Sequence, residues 1–267
     1  IHKLGGAATA CYLAGGPTGE MLTELLGEED VHRRPVPMKQ YTRESFAVYE
    51  TSSGQQYRFS MPGAIVDSAE CNRIIETLSA SLPTSSYLVV SGSFPPGVPS
   101  DFFADLAALA RTVGARLVVD TTGPAMQAAL AQGVFMIKPN FRELGLLLGR
   151  QIADDLDLQQ EAQSIVARGE SEAVLVSLGA AGAALATKGE YIHFRSPTVP
   201  IQSKVGAGDS MVGGLVLALA RGHTLENAAR FGVAAGAAAV MTPGSELCRK
   251  EDAERLFQQM QPDNSIA

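Results

Sequence analysis

SYLVVSGS (residues 86–93), DFFADLAALARTVG (101–114), ARLVVDTTG (115–123), AMQAALAQG (125–133) and FMIKPN (135–140) follow one another with only short gaps. The first, third and fifth are short, continuous apolar runs; the second and fourth carry apolar residues at helical spacing. Continuous rather than alternating strands, separated by helices, predict a parallel sheet covered on both faces. The pattern continues outward on the C-terminal side, where ELGLLLG (143–149) and DLQQEAQSIVARG (157–169) read as helices and EAVLVSLG (172–179) as a further strand. In such sheets ligands gather at the carboxyl ends of the strands. Those ends are Ser91-Gly92-Ser93, Asp120-Thr121-Thr122-Gly123, Lys138-Pro139-Asn140 and Ser177-Leu178-Gly179, all small, polar or charged.

On the N-terminal side, GGAATACYLAG (5–15) reads as a helix end followed by a buried strand, and PTGEMLTELLGEED (17–30) as a helix. From Val31 to Gly63 the texture changes. RESFAVYET and QQYRFSM alternate apolar and polar residues around Ser52-Ser53-Gly54-Gln55, a hairpin signal, and this excursion is expected to be a lid or interface flap. The expected organisation is therefore an α/β core of residues 1–30 and 64–267 with a β lid at 31–63. The tail QPDNSIA is expected to be dispensable.

Composition excludes several classes. With 46% hydrophobic and 18% charged residues over 267 positions the chain can bury a large core, and a formal net charge of −7 gives no basic field for nucleic acid. No apolar run is long enough to span a bilayer. Three widely spaced cysteines without CxxC predict reduced thiols and a cytoplasmic protein, not a disulfide framework or zinc site. A Rossmann dehydrogenase is disfavoured, since no G-x-G-x-x-G follows an early strand, and a P-loop is absent.

The chemistry concentrates in Ser203-Lys204-Val205-Gly206-Ala207-Gly208-Asp209-Ser210, immediately before the helix SMVGGLVLALARG. Gly206, Ala207 and Gly208 let the backbone approach a ligand, and their N–H groups fall at the first turn, where unpaired donors and the helix dipole favour an anion. A carboxylate at the rim can take a proton from a hydroxyl while phosphate charge develops beside it. Taken alone, the tetrapeptide reads equally as a tight turn with an N-capping Asp.

These residues resemble the second signature of the PfkB/ribokinase family of sugar kinases, D-T-x-G-A-G-D. The likeness extends to Lys138-Pro139-Asn140-Phe141-Arg142-Glu143 (its N-x-x-E element), Val176 to Gly182 (its nucleotide loop) and Ser91 to Gly97 (its sugar-side strand end), in order along the chain. The resemblance implies a ribokinase-like three-layer α/β/α fold with a mostly parallel central sheet and a small β lid. It implies ATP-dependent phosphorylation of the C1 hydroxyl of fructose 6-phosphate to fructose 1,6-bisphosphate, with tagatose 6-phosphate or fructose 1-phosphate as alternative substrates. A non-catalytic nucleotide-binding regulatory protein is the alternative of another class.

Position by position, the resemblance makes Asp209 the catalytic base and Gly206, Ala207 and Gly208 the anion hole. Lys138, Asn140, Ser177, Gly179 and Gly182 match nucleotide-binding positions, Arg43 and Ser93 sugar-phosphate contacts, and Asn140 with Glu143 the pair that organises Mg²⁺, partly through water. A K⁺ site is implied at the carbonyls of Ser203, Val205, Ala239 and Gly244, although Ser203 stands where many relatives carry Asp. A homodimer through the lid is implied, with no nucleic acid or membrane partner. Relatives also carry, ahead of the position of Ile1, a stretch with a G-G-x-G-x-N signature and further sugar contacts, so a longer native chain is expected.

Overall fold

The structure is a computed structural model that describes residues 1–84 and 86–260; the tail QPDNSIA lies outside the described residues. The chain divides into two units, one of Ala7–Leu82 and Phe94–Leu109, the other of Ile1–Gly6, Pro83–Ser93 and the chain from Ala110 onward.

In the first unit, β1 (Thr9–Ala14) leads through α1 (Gly16–Glu28) to β2 (His32–Pro37), and the two strands pair in parallel, Cys11 opposite Arg34. β3 (Ser45–Glu50) and β4 (Gln55–Ser60) form the expected antiparallel hairpin. Because side chains alternate across a strand, Phe46, Val48, Tyr57 and Phe59 share one face, and all four are exposed. α2 (Ser68–Ser81) starts in a reciprocal capping box: the Glu70 N–H donates to Asp67 at 2.8 Å and the Asp67 N–H to Glu70 at 2.9 Å. The other Glu70 oxygen accepts the Lys39 N–H at 2.7 Å, which ties the end of β2 to this helix and gives the buried carboxylate its partners.

In the second unit six strands form one sheet among the described residues. β5 (Tyr87–Ser91) is an edge; α3 (Phe102–Val113), which begins in the first unit, precedes β6 (Arg116–Asp120), and α4 (Pro124–Leu130) precedes β7 (Val134–Ile137). α5 (Phe141–Leu148) and α6 (Asp155–Ala167) lead to β8 (Ser171–Ser177), which completes the parallel set β5-β6-β7-β8. β9 (Ala183–Thr187) and β10 (Glu190–Phe194) then add antiparallel to β8, so the sheet is mostly parallel as expected.

The register separates two buried faces. Val118 opposite Met136, with Ala173 and Leu175, packs into the cluster built by α7 (Ala207–Ala220) and α8 (Leu225–Ala239), while Val119 and Ile137 point the other way, where α4, α5 and α6 lie against the sheet. α9 (Lys250–Gln259) packs on α8. α7 and α8 meet at glycine: a Cβ on Gly214 would lie 2.8 Å from the Ala235 Cβ, and one on Gly232 2.8 Å from the Met211 carbonyl. The helices thus touch backbone to backbone, which fixes where α7 begins.

Candidate active site

The predicted strand ends lie side by side. The Gly92 N–H donates to the Asp120 carbonyl at 2.9 Å, and the Thr121 hydroxyl to the Gly92 carbonyl at 2.7 Å, joining the ends of β5 and β6. The Lys138 N–H donates to the Val119 carbonyl at 3.0 Å, and the Ser177 N–H to the Pro139 carbonyl at 3.0 Å, with Asn140 bridged in parallel to Ser177. Asp120, Lys138, Asn140 and Ser177 therefore form one row along the carboxyl edge of β6, β7 and β8.

Asn140 and Glu143 open α5 as a second reciprocal capping box. The Glu143 N–H donates to Asn140 Oδ1 and the Asn140 N–H to Glu143 Oε2, each at 2.8 Å. The N-x-x-E element thus has a local job, starting a helix, that also holds its carboxylate at the row of strand ends. Beyond Ser177, Gly179 and Gly182 both have positive φ, 61° and 103°; at Gly182 any side chain would collide with the Phe194 carbonyl, so only glycine closes this turn.

The GAGD segment meets this row. Gly206 is the N-cap of α7 with φ 77°, contributes no side-chain acceptor, and leaves the first-turn N–H groups unpaired by helix geometry. Gly208 and Asp209 are exposed, and a Cβ on Gly208 would lie 3.6 Å from the Lys138 ammonium. Lys138 is only 5% exposed, with its Nζ 3.2 Å from Asp120 Oδ1. Burial pushes the Asp120 carboxyl above its ordinary range; Lys138 opposes that shift, and the nearby charges of Asp209 and Glu143 add to it. The Lys138–Asp120 pair thus lies beside the start of α7, within electrostatic reach of Asp209 and Glu143. Asp120 was legible from the sequence only as a polar strand end; its pairing with Lys138 spans two strands and leaves no local signal.

Ser203 is buried, and its Oγ accepts the Val205 N–H at 3.2 Å. The Gln202 and Ser203 N–H groups both donate to the Val240 carbonyl, at 2.7 and 3.3 Å, so the segment before α7 abuts the end of α8, where Ala239 and, further on, Gly244 lie. Ser93 is exposed just after β5. Arg43, in the other unit, is exposed on the segment between β2 and β3. Its neighbour Thr42 fastens that segment to the start of α1: Thr42 Oγ1 accepts the Gly15 N–H at 3.0 Å and the Thr42 N–H donates to the Gly15 carbonyl at 2.9 Å. No helix among the described residues is long and apolar enough to cross a membrane.

Residues 1–252 match the model of the pfkB family carbohydrate kinases. The ATP-dependent 6-phosphofructokinase isozyme 2 of Escherichia coli (strain K12) is 42% identical over 258 residues, 96% of this chain and 83% of that protein. The crystal structure of phosphofructokinase-2 from Escherichia coli in complex with potassium superposes with a TM-score of 0.93 at 42% identity, covering 97% of this chain and 84% of that one. The complex of that enzyme with fructose-6-phosphate gives 0.90 at 41% identity over the same shares.

Proposed function

This chain belongs to the pfkB family of carbohydrate kinases, and on that premise we propose that it phosphorylates the C1 hydroxyl of fructose 6-phosphate with ATP, giving fructose 1,6-bisphosphate. The fold is ribokinase-like and the protein is an ATP-dependent sugar kinase. One observation carries the reading of the site: the exposed first turn of α7 presents Asp209 beside the open N–H groups of Gly206 to Gly208, with the Lys138 ammonium against Gly208.

In this reading Asp209 accepts the hydroxyl proton of the sugar as the oxygen attacks. The N–H groups of Ala207 and Gly208 and the Lys138 ammonium hold the oxygens of the transferring phosphoryl group where charge is spread over them. Ser177, Gly179 and Gly182 leave room for the nucleotide beside Asn140. Arg43 meets the phosphate already on the sugar, and Ser93 contacts the sugar.

Asn140 and Glu143 would hold Mg²⁺, which supplies neutralisation of the nucleotide phosphates. The fit is chemical: Asn140 Oδ1 and the Glu143 carboxylate are hard oxygens, held together at the start of α5 by their reciprocal hydrogen bonds, and Mg²⁺ takes such donors while keeping several waters. K⁺ would take the carbonyls of Ser203, Val205, Ala239 and Gly244, on segments already bonded together through Val240.

The stacked Phe46 and Phe59 rings, 5.0 Å apart, with Val48 and Tyr57 on the same exposed face, support a homodimer through the hairpin. Cys11, Cys71 and Cys248 are free thiols, which supports a cytoplasmic setting.

The test is ADP formation by the protein expressed from its own locus, with fructose 6-phosphate, tagatose 6-phosphate and fructose 1-phosphate compared by kcat/KM. The highest value for fructose 6-phosphate is expected. Preference for another of the three would reassign the substrate, and ATP binding without turnover on any would favour a regulatory role.

A further inference from the structure

The local charge balance of the site raises the question of what keeps Lys138 in place. A lysine side chain has many rotamers to lose, and a buried ammonium without a partner is strongly disfavoured. Yet Lys138 is buried and its Nζ points at Gly208. It is ion-paired with Asp120, at 3.2 Å. Asp120 is itself immobilised, because its carbonyl accepts the Gly92 N–H at 2.9 Å and the preceding Val119 carbonyl accepts the Lys138 N–H at 3.0 Å. The two side chains therefore leave adjacent, hydrogen-bonded strands and converge at the start of α7. An ammonium has three donors; one directed to Asp120 leaves two for phosphoryl oxygens.

We propose that Asp120 is a positioning residue that holds the Lys138 ammonium against the N-terminus of α7, and so sets where the terminal phosphoryl group of the nucleotide lies. This deepens the kinase reading and rests on it. Asp120 acts through Lys138 and neither takes the proton nor holds the metal.

The experiment is a double-mutant cycle of Asp120→Asn and Lys138→Met, with Asp120→Ser in reserve should the amide variant not fold. Two readouts are used: kcat and KM for sugar phosphate over a Mg²⁺ titration, and the ratio of ATP to ADP affinity by calorimetry, which needs no turnover. A hydrogen bond to a charged group sets the expected scale at about tenfold to a hundredfold. Asp120→Asn should lower kcat and the ATP preference over ADP by that factor, with the KM for sugar phosphate little changed. In the Lys138→Met background it should have no further effect.

Losses that multiply in the double variant would overturn the proposal, as would a deficit restored by excess Mg²⁺ or an unchanged ATP to ADP ratio. A wild-type protein that turns over none of the sugars yet shows the coupled loss of ATP preference would sink the kinase reading and leave the positioning role standing.

Discussion

Gly208→Ala separates the anion-hole reading from an ordinary helix start. Gly208 is the second residue of α7 and does not need a positive φ; the neighbour an added Cβ would meet is the Lys138 Nζ, at 3.6 Å, an ordinary contact. The fold should accept the methyl. Ala is favoured over Gly in helices by up to about 1 kcal/mol, less in a first turn, and for a chain of this size that amounts to about 1–3 °C in Tm. Function should respond oppositely. A phosphoryl oxygen bridging the helix N–H groups and the ammonium needs donors at about 2.7–3.1 Å, and the methyl stands between them. Losing one such donor costs about 10² to 10³ in kcat. A coupled assay of ADP release, run beside thermal unfolding, should give a protein at least as stable as wild type with kcat down by that factor and ADP affinity unchanged. Full turnover in a stable Gly208→Ala protein would refute the placement of the phosphoryl group.

Asp209→Asn keeps the shape of the exposed first-turn side chain and removes the base; kcat should fall by about 10² to 10⁴ with ATP affinity nearly intact, by turnover and calorimetry. Gly232→Ala forces a Cβ to 2.8 Å from the Met211 carbonyl and 3.1 Å from the Leu215 Cβ, and should destabilise by about 1–3 kcal/mol in denaturant unfolding. Arg150 binds Asp157 through two hydrogen bonds, 2.6 and 2.7 Å, and holds its carboxyl down to about 2 from the ordinary 3.8. A depressed carboxylate stabilises the fold above its unfolded value, so this contribution is present above about pH 4 and disappears as pH falls toward 2; the Tm difference between wild type and Asp157→Asn should close over that window. Phe46→Asp, on the exposed hairpin face, should shift the sedimentation of the protein toward the monomer at unchanged Tm.

What the sequence made legible tracks how local each signal is. β5 to β8 announced themselves by unbroken apolar runs, and the hairpin by alternation about Gly54, whose φ is 70°. β9 and β10 were not expected: AALAT, residues 183–187, is alanine-rich and has little strand propensity, and it becomes a strand only because β8 offers it an edge. β2 hid for a different reason, since HRRPVP has neither alternation nor an apolar run and is ordered by its parallel pairing with β1. At the site, the N-x-x-E spacing and the glycines of GAGD are local signals, but the residues alone leave GAGD open between an anion site and a tight turn, and the N-x-x-E element is read through the family resemblance. The Asp120 to Lys138 pair joins neighbouring strands through side chains, and only the register of the sheet brings it together.

The glycine seam between α7 and α8 has a consequence in time. Helices in backbone contact, with Gly236 Cβ space ending 3.1 Å from the Ala207 carbonyl, cannot loosen by small steps, so the amides of Leu215 to Leu219 should exchange with solvent deuterium only through global unfolding. The N–H groups of Ala207 to Asp209, unpaired by geometry, should exchange within seconds at the same end of the same helix. Slowly and rapidly exchanging protons should thus belong to one element. The open donors sit at one end of a helix whose middle is locked against its neighbour, so their positions are set before any ligand arrives.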